Sequence, residues 1–426
     1  MYIIAKDGSG DFASIQEAID AIPGGGRAPT ILILRMDEYH ERVIVNKDNV
    51  RIIGEARDRT VITNAACAGE PNPDGAYPPF TMLVTGSNVE VENLTIRGDA
   101  GQAVAVCAAG DRGVWRNCRM IGGQSALVCG PLTRGRQYLA DCAIQGGVDF
   151  GSHRCWLERC AEYSTREERT LLEVIGGWDN WRPDQRVPTW FLCGDSTMAN
   201  YPADKAPMTG WGQKLQALLT DNVYVENCAV NGRSSKSFVA EKRLNFIELC
   251  LRKGDKLIIS FSHNDEKPDP ERSTHPRMTF PNYLGMYIDA ARRQGAEPIL
   301  VTPIARRHFD GEGRLIPTHG AYPDAMRNLA EYRGVRLIDL EKATMRMCRL
   351  AGAEGTKEIF CHVPAGHPNY PDGIADNSHL QESGASRIAG LFLSRMNNPG
   401  MQEESFENVA ADDCSDLIAR EDSVLR

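Results

Sequence analysis

The sequence contains no run of about 18 consecutive apolar residues, the length that a membrane-spanning helix needs, so no such helix is predicted. It contains no Cys-x-x-Cys pair, and its 13 cysteines are an odd number. Both features favour reduced, mostly buried thiols over a disulfide framework. The first residues, MYIIAKDGSGDF, lack the basic segment, long apolar segment and cleavage site of a secretory signal. We therefore expect a cytoplasmic location, or secretion if a signal has been removed.

Positive charge is also in short supply, because 48 basic residues stand against 57 acidic ones and the net charge is −9. This balance excludes nucleic acids and anionic membranes as expected partners, and it provides no long-range attraction to a polyanionic polymer. The 426 residues, of which 42% are hydrophobic, exceed what one ordinary core accommodates. The length therefore indicates a multidomain protein.

Short β-rich units recur in the first half of the chain. Asn93, Asn117 and Asp141 stand at a spacing of 24 residues, and Arg159 follows 18 residues later. A unit of this size cannot bury its own apolar face, so the repetition indicates a stacked solenoid, and strand-only units indicate a parallel β-helix. The residue after each of these positions is expected to point inward; the four are Leu94, Cys118, Cys142 and Cys160. A zinc site is the alternative for the cysteines, but they lack the close pairs that such sites use.

Both ends of such a solenoid need a cover, because an open turn leaves strand edges unpaired. Residues 11–22 have apolar side chains at helical spacing behind Asp11 and are predicted to form a helix over the first turn. The repeat stops near residue 163, and the charged residues of 164–187, interrupted by Gly, Trp and Pro, are interpreted as a linker. This linker, the second half of the chain or a second subunit would cover the last turn, so a homo-oligomer stays open.

Apolar strand-like runs alternate with helical patterns from residue 188 onwards, beginning with TWFLCG and GWGQKLQALL. Near-continuous apolar strands separated by helices predict an α/β domain, in which a parallel sheet lies between helices. Later helices are expected near 239–252, 281–294, 322–332 and 381–396. The predicted organisation is a β-helix over 1–163, a linker over 164–187, an α/β domain over 188–396 and an acidic tail over 397–426.

Candidate functional residues stand where the predicted strands end or the last helix begins. They are Ser196 in GDSTM, at the expected start of a helix, Gly232 in NGRSS, Asn264 in FSHND, and Asp376 and His379 in DNSH. Each has an ordinary structural explanation when taken alone: a helix N-cap, a turn residue, or a capping Asp beside a surface His. On one rim of one parallel sheet, however, they supply a nucleophile, two oxyanion donors and an oriented base. These are the requirements of acyl transfer.

Residues 188–396 resemble the SGNH/GDSL hydrolases, and closely the rhamnogalacturonan acetylesterase branch, whose α/β fold is flavodoxin-like. The resemblance rests on motifs that occur in family order, including GDSTM, GWG at 210–212, NGRSSKSF at 231–238, HND at 263–265 and DNSHL at 376–380. One departure is Ser262, which stands where the family usually has glycine and therefore bears on how Asn264 is presented.

The resemblance implies a role for each candidate residue in this half of the chain. Ser196 would be the nucleophile, and Asp376 and His379 would form the base pair. The oxyanion hole would consist of the Ser196 backbone N–H together with Gly232 and Asn264. No metal and no cofactor is implied, because the serine, the imidazole and the carboxylate supply the chemistry.

Residues 3–163 resemble the pectin methylesterases, which are right-handed parallel β-helices, in runs such as IIAKDGSGDFASIQEAIDAIP and RQYLADCAIQGGVDF. The resemblance implies that Gln102, Gln124 and Asp149 occupy active-site positions, Asp149 that of the nucleophile. Ser125, however, replaces the family's acid/base aspartate, and a hydroxyl cannot donate a proton as a carboxylic acid does. This half is therefore interpreted as a module for support or carbohydrate contact that carries a degenerate methylesterase site. In the alternative, Asp149 is a turn or ladder residue.

The sequence thus predicts a carboxylic ester hydrolase that removes O-acetyl groups from pectic, rhamnogalacturonan-type oligosaccharides. Arg233, Arg306 and Arg307 are candidates for binding uronate carboxylates, although solvated surface charge explains them equally well. The alternatives are an acetylesterase on xylan or another neutral glycan, a bifunctional pectin esterase, and a non-catalytic carbohydrate-binding scaffold. A serine-directed phosphonate separates the scaffold from an enzyme, because it labels only a reactive Ser196.

Overall fold

The computed structural model contains two compact units, Met1–Arg186 and Val187–Arg426. It describes residues 1–24, 26–64, 79–98, 104–130, 135–151, 153–164, 167–175, 181, 186–220 and 222–397. The predicted acidic tail lies, apart from Asn397, outside the described residues. Within the described ranges, no helix has the length and apolar character needed to cross a membrane.

The first unit is a parallel β-helix whose successive turns stack their strands along three faces. Its strands are β1 (Tyr2–Ile4), β2 (Thr30–Leu34), β3 (Glu38–His40), β4 (Val43–Val45), β5 (Val50–Gly54), β6 (Val61–Asn64), β7 (Phe80–Val84), β8 (Glu90–Glu92), β9 (Thr95–Gly98), β10 (Val104–Ala108), β11 (Gly113–Arg116), β12 (Arg119–Cys129), β13 (Arg136–Ala140), β14 (Ala143–Asp149), β15 (Arg154–Ser164) and β16 (Glu167–Ile175).

Three parallel ladders connect these strands. The first runs through β1, β2, β5, β8, β11, β13 and β15. The second runs through β3, β6, β9, β12, β14 and β15, and the third through β4, β7, β10, β12 and β14. The long strands β12, β14 and β15 belong to two ladders each because they continue round a corner of the β-helix. The β-helix predicted from the repeat is therefore confirmed.

The repeat positions Asn93, Asn117, Asp141 and Arg159 form one corner of the β-helix. All four have positive φ angles, between 48° and 58°, a conformation that Asn and Asp tolerate better than most residues. Their side chains also bond along the corner: Asn117 Nδ2 donates to Asn93 Oδ1 at 2.8 Å, and Arg159 Nε donates to Asp141 Oδ1 at 2.7 Å. The residues that follow are buried, as predicted; they are Leu94, Cys118, Cys142 and Cys160.

A short helix, α1 (Ile15–Asp20), covers the first turn and buries its apolar face against the interior of the β-helix. The helix was predicted, but its cap is Ser14, whose Oγ accepts from Glu17 N at 3.3 Å. The carboxylate of Asp11, the predicted cap, instead accepts a hydrogen bond from Ile3 N in β1 at 2.7 Å. The helix therefore begins later than the apolar pattern alone indicates.

The edge of the last turn is paired by β16, a strand within the segment predicted as a linker. β16 runs antiparallel to β15, with partners from Cys155↔Ile175 to Ser164↔Glu167. This pairing satisfies backbone N–H and C=O groups that would otherwise be exposed along the open edge. The first unit accordingly extends to Arg186, beyond the last repeat near residue 163.

The second unit is an α/β domain. Its strands are β17 (Thr189–Gly194), β18 (Tyr224–Asn227), β19 (Lys256–Ser260), β20 (Glu297–Val301), β21 (Arg336–Ile338), β22 (Phe360–Val363) and β23 (Ile374–Leu380). Its α-helices are α2 (Leu215–Leu218), α3 (Ser235–Ala240), α4 (Arg243–Cys250), α5 (Thr279–Arg293), α6 (Tyr322–Arg333), α7 (Leu340–Gly355) and α8 (Glu382–Asn397). Short 3₁₀ helices span Ala203–Lys205, Trp211–Lys214 and Thr356–Glu358.

A parallel sheet in the order β18-β17-β19-β20-β21 forms the centre of this unit. Helices α3 to α6 pack together on one face, and α2, α7 and α8 pack together on the other. This is the flavodoxin-like order, in which ligands bind at the carboxyl ends of the strands where the order reverses. Here that point lies between β17 and β19.

The helices largely follow the sequence pattern, with two differences. The helix predicted near 239–252 is divided into α3 and α4 at Lys242, whose φ is +60°. Helix α7 has no counterpart in the prediction, although Asp339 caps it by accepting a hydrogen bond from Lys342 N at 3.3 Å.

The DNSH motif lies in strand β23, which forms an antiparallel hairpin with β22 before α8 begins. The hairpin supplies Asp376 and His379 from an extended strand, whereas the sequence placed them in a connection directly before the last helix.

Candidate active site

Ser196 lies in the turn that follows β17, at the carboxyl edge of the sheet. Asp195 stabilises this turn, because its Oδ1 accepts hydrogen bonds from Thr197 N at 3.0 Å and Thr197 Oγ1 at 2.8 Å. No helix starts at Ser196, so the prediction of a helix N-terminus there was wrong. Pro202 follows closely and restricts the residue before it to extended backbone. A helix macrodipole therefore does not act on the Ser196 hydroxyl.

Ser196, His379 and Asp376 form a continuous chain of hydrogen bonds. His379 Nε2 lies 2.9 Å from Ser196 Oγ, and His379 Nδ1 lies 2.7 Å from Asp376 Oδ2. An ionised carboxylate only accepts hydrogen bonds, so Nδ1 carries the ring hydrogen and Nε2 can accept the hydroxyl proton of Ser196. The structure therefore brings together the predicted nucleophile and base in the geometry that proton transfer needs.

Asp376 is held as an anion. Burial alone would raise the pKa of its carboxyl group, but hydrogen bonds from the His379 ring and from the backbone N–H groups of His379 and Ser378 lower the pKa to about 2. The backbone bonds to Asp376 Oδ1 are 2.7 Å from Ser378 N and 2.8 Å from His379 N. The carboxylate is thus fixed by three donors, and it fixes the imidazole in turn.

Gly232 and Asn264 reach the same pocket from the loops after β18 and β19. Gly232 has a φ of +77°, which favours glycine, and a Cβ added there would meet no atom of the described residues within 4 Å. In the described part of the chain, the backbone N–H groups of Ser196 and Gly232 have no hydrogen-bond acceptor. These donors are therefore available to a ligand.

The Asn264 amide has a defined orientation. Its Nδ2 donates to Arg233 O at 3.1 Å, and its Oδ1 accepts from Arg272 Nη1 at 3.4 Å. A flipped amide would place acceptor against acceptor and donor against donor, so both contacts disfavour the flip. One Nδ2 hydrogen remains for a ligand in the pocket.

Ser262 occupies a strained position two residues before Asn264. Its φ is +156°, in the region of backbone space that favours glycine. Its Oγ donates to Glu266 Oε1 at 2.6 Å, and that carboxylate also bonds to His319 Nδ1 at 2.5 Å and Arg306 Nη1 at 2.8 Å. The serine thus gains a hydrogen bond that glycine could not make, and Asn264 still lines the pocket.

The pocket beside Ser196 has a volume of about 770 Å³. Its lining residues are Ser196, Thr197, Tyr201, Pro202, Lys205, Met208, Asn231, Gly232, His263, Asn264, Lys267, Arg272, Arg306, Tyr370, Ser378 and His379. Every residue predicted for the nucleophile, the base and the oxyanion hole, apart from Asp376 behind His379, lies in this lining.

The three candidate arginines differ in position. Arg306 lines the pocket but pairs with Glu266. Arg233 is outside the lining and donates to Glu241 Oε1 at 3.0 Å. Arg307 is also outside it and holds the strand of the DNSH motif, because its backbone N donates to Asn377 O at 2.8 Å and its Nη1 to Asn377 Oδ1 at 3.1 Å. The structure therefore places Arg233 and Arg307 in supporting contacts, away from the pocket surface.

Sequence reasoning missed several residues of the pocket wall, among them Tyr201, Lys205, Lys267, Arg272 and Tyr370. Lys267 and Arg272 follow Asn264 on its own loop, so proximity to the HND motif could have identified them. Lys205 and Tyr370 are far apart in sequence and meet only in the fold, where Tyr370 Oη donates to Lys205 O at 2.8 Å.

The predicted degenerate methylesterase site is only partly within the described structure. Gln102 and the side chain of Gln124 lie outside the described residues. Ser125 lies in β12 and is half-buried, opposite Gly147 of β14. Asp149, at the end of β14, is exposed, and its Oδ1 accepts from Gly151 N at 2.9 Å. The Asp149 carboxylate is thus in a turn contact, the alternative that the sequence allowed.

Comparison with known families divides the chain close to the boundary between the two structural units. Residues 1–191 match the Pectinesterase model, and residues 192–386 match the model of the GDSL-like Lipase/Acylhydrolase family. Rhamnogalacturonan acetylesterase RhgT of Bacillus subtilis is 44% identical over 212 residues, which cover 50% of this chain and 90% of RhgT.

The first half is similar to Pectinesterase 31 of Arabidopsis thaliana, at 35% identity over 176 residues that cover 38% of this chain. The chain spans about half the length of that relative, 55%. Among solved structures, protein YXIM of Bacillus subtilis is 26% identical, with a TM-score of 0.44, 51% of this chain covered and 58% of that chain covered.

Proposed function

Because this chain belongs to the GDSL-like lipase/acylhydrolase family, we propose that its second unit removes acetyl groups from rhamnogalacturonan-type pectic oligosaccharides. The observation that carries the proposal is the hydrogen-bonded chain from Asp376 through His379 to Ser196, which ends in a pocket at the carboxyl edge of the sheet. It is a serine esterase centre with no step that requires a metal or a cofactor.

The first step is attack by Ser196 Oγ on the acetyl carbonyl while His379 Nε2 takes the hydroxyl proton. The Asp376 carboxylate stabilises the imidazolium that forms and keeps the ring in the required orientation. His379 then returns the proton to the departing sugar oxygen, which leaves an acetyl group on Ser196. In the second step His379 activates water, and hydrolysis of the acetyl-enzyme releases acetate.

The negative charge on the carbonyl oxygen would be bound by three N–H donors. Two are the backbone N–H groups of Ser196 and Gly232, and the third is the remaining Nδ2 hydrogen of Asn264. Donors that are fixed before the reaction stabilise such an oxyanion without reorganisation. The contacts of Asn264 with Arg233 O and Arg272 provide that fixation.

Replacing Asn264 with alanine should lower kcat on a chromogenic acetate ester by about 10²- to 10³-fold, because one oxyanion donor is lost. KM should change little, since the ground-state carbonyl needs this donor less than the transition state does. Asn231→Ala serves as a matched control, because Asn231 lines the same pocket with an exposed side chain and has no assigned donor role. Equal losses in both variants would remove Asn264 from the oxyanion hole.

A pectic substrate is supported by the similarity to RhgT and by a first unit that matches the Pectinesterase model. The pocket has features that suit a sugar chain: Tyr201 and Tyr370 offer aromatic surface, and basic side chains lie among the lining residues. A neutral glycan would use the aromatic surface but not the charges.

Acetate release should be compared across acetylated rhamnogalacturonan, xylan and mannan fragments of similar length. We expect kcat/KM to be roughly tenfold or more higher on rhamnogalacturonan, because the pocket offers polar partners that the neutral glycans leave unpaired. The same fragments after alkaline deacetylation provide the blank. A preference for xylan or mannan would replace the pectic assignment with a neutral-glycan acetylesterase.

A further inference from the structure

The pocket beside Ser196 differs in charge from the rest of the protein. The chain has a net charge of −9, yet among the described residues the pocket lining includes four lysine or arginine side chains and no carboxylate. The four are Lys205, Lys267, Arg272 and Arg306. An acidic protein with a locally cationic pocket concentrates an anionic ligand at that point without attracting polyanions to its whole surface.

The two arginines are largely neutralised by neighbouring carboxylates. Arg306 Nη1 pairs with Glu266 Oε2 at 2.8 Å, and Arg272 makes a forked contact with Asp269, at 3.0 Å from Nε and 2.7 Å from Nη2. A bidentate arginine–carboxylate pair of this kind leaves little charge for a ligand. The arginines therefore stabilise the loop after β19, which contains Glu266 and Asp269.

The two lysines differ from the arginines in their charge partners. Lys205 and Lys267 are exposed, and within the described part of the chain neither ammonium group has an acidic partner. An exposed lysine lining a pocket is a mobile point charge with three hydrogen-bond donors, which suits a carboxylate of a bound ligand.

The backbone beneath each lysine is held in place. Lys205 ends the 3₁₀ helix Ala203–Lys205, which Tyr370 and Asn369 fasten: Tyr370 Oη donates to Lys205 O at 2.8 Å, and Asn369 Nδ2 donates to Ala203 O at 3.1 Å. Lys267 N donates to Asn264 O at 3.1 Å, so this lysine is in the turn that presents the oxyanion donor. The backbone of both lysines is thus held within the loops that form the reaction site.

We propose that Lys205 and Lys267 form a subsite for the free carboxylate of a uronic acid residue at or next to the acetylated sugar. The proposal rests on the acetylesterase function proposed above, and it specifies that the substrate carries a free rather than a methyl-esterified uronate. A methyl-esterified uronate is neutral and cannot form charge-assisted hydrogen bonds with the lysines. Where the uronate is methyl-esterified, hydrolysis of that methyl ester must therefore come before deacetylation by this protein.

The test uses the full-length protein and two matched sets of acetylated rhamnogalacturonan oligosaccharides, one with free carboxyl groups and one with methyl-esterified carboxyl groups. The measured quantity is the ratio of kcat/KM between the two sets within each protein, so that a general effect on catalysis cancels. For wild type we expect a preference for the free acid on the order of 10-fold, since two partly exposed charge contacts are gained. The preference should arise in KM and shrink as ionic strength rises.

In the double variant Lys205→Met/Lys267→Met, the ratio should fall to about one. The control is Lys253→Met/Lys357→Met, which removes the same charge outside the pocket, from the exposed Lys253 and from the partly exposed Lys357 that pairs with Glu354. It should keep the wild-type ratio. A wild-type ratio of one, or a preference that survives in the first double variant, would overturn the subsite. Failure of the parent function looks different: no acetate would appear from either set while a chromogenic acetate ester is still hydrolysed.

Discussion

Replacing Ser196 with alanine is expected to reduce acetate release from a chromogenic acetate ester by about 10⁴-fold or more, because nucleophile and base act as one unit. Alanine removes the oxygen that lies 2.9 Å from His379 Nε2, so no acetyl-enzyme can form. The three oxyanion donors would remain, and they sustain only the residual rate that positioning and electrostatic stabilisation allow.

Ser386→Ala is the matched control for this experiment. Ser386 lies on α8 outside the pocket, and its Oγ donates to Glu382 O at 2.9 Å within the helix. Its loss should leave the rate near that of wild type. A serine-directed phosphonate should modify wild type and the Ser386 variant but not the Ser196 variant, which mass spectrometry can read directly. Equal acetate release from wild type and Ser196→Ala would disprove the assignment of the nucleophile.

The substitution Asp376→Asn is expected to lower kcat by about 10⁴-fold while leaving the fold intact. Asn is nearly the same size, but its Nδ2 is a donor. It can hold the His379 ring with Nδ1 as acceptor, which leaves the hydrogen on Nε2, facing Ser196 Oγ. The ring then cannot take the serine proton, and the charge that stabilises the imidazolium is gone.

The pH dependence of this loss follows from the pKa of Asp376, which is about 2. Because hydrogen bonds lower that pKa, the carboxylate remains ionised throughout the neutral range and protonates only in strong acid. Its contribution to the wild-type rate should therefore not be lost at any pH within that range. Asp372→Asn, an exposed position in the loop between β22 and β23, is the control and should retain wild-type activity. Similar activities for both variants would exclude Asp376 from the base pair.

The site was the part of the molecule most accessible to sequence reasoning. GDSTM, NGRSS and FSHND each stand at the carboxyl end of a strand, and parallel strands bring those ends to one edge. The order of apolar runs therefore predicted that Ser196, Gly232 and Asn264 meet. The hairpin that carries Asp376 and His379 was missed, because β23 reads IADNSHL and lacks the continuous apolar run that marks the buried parallel strands.

What the sequence could not provide depends on contacts between distant segments. Arg307 looked like a ligand-binding residue, but its backbone and guanidinium hold Asn377, a contact that becomes visible only once β23 is placed. Lys205 carries no motif, and its position in the pocket depends on Tyr370 and Asn369. Helix α7 was overlooked, although Asp339 and the apolar spacing behind it are ordinary helix signals.

Nothing in a stack of similar parallel rungs limits its number of rungs, because each free edge exposes the same backbone N–H and C=O groups to the next rung. The reversed strand β16 ends that series, because it occupies the edge of β15 on which a further parallel rung would have to pair. Because β16 covers this edge of β15, the strands of a second solenoid cannot pair there and extend the stack end to end.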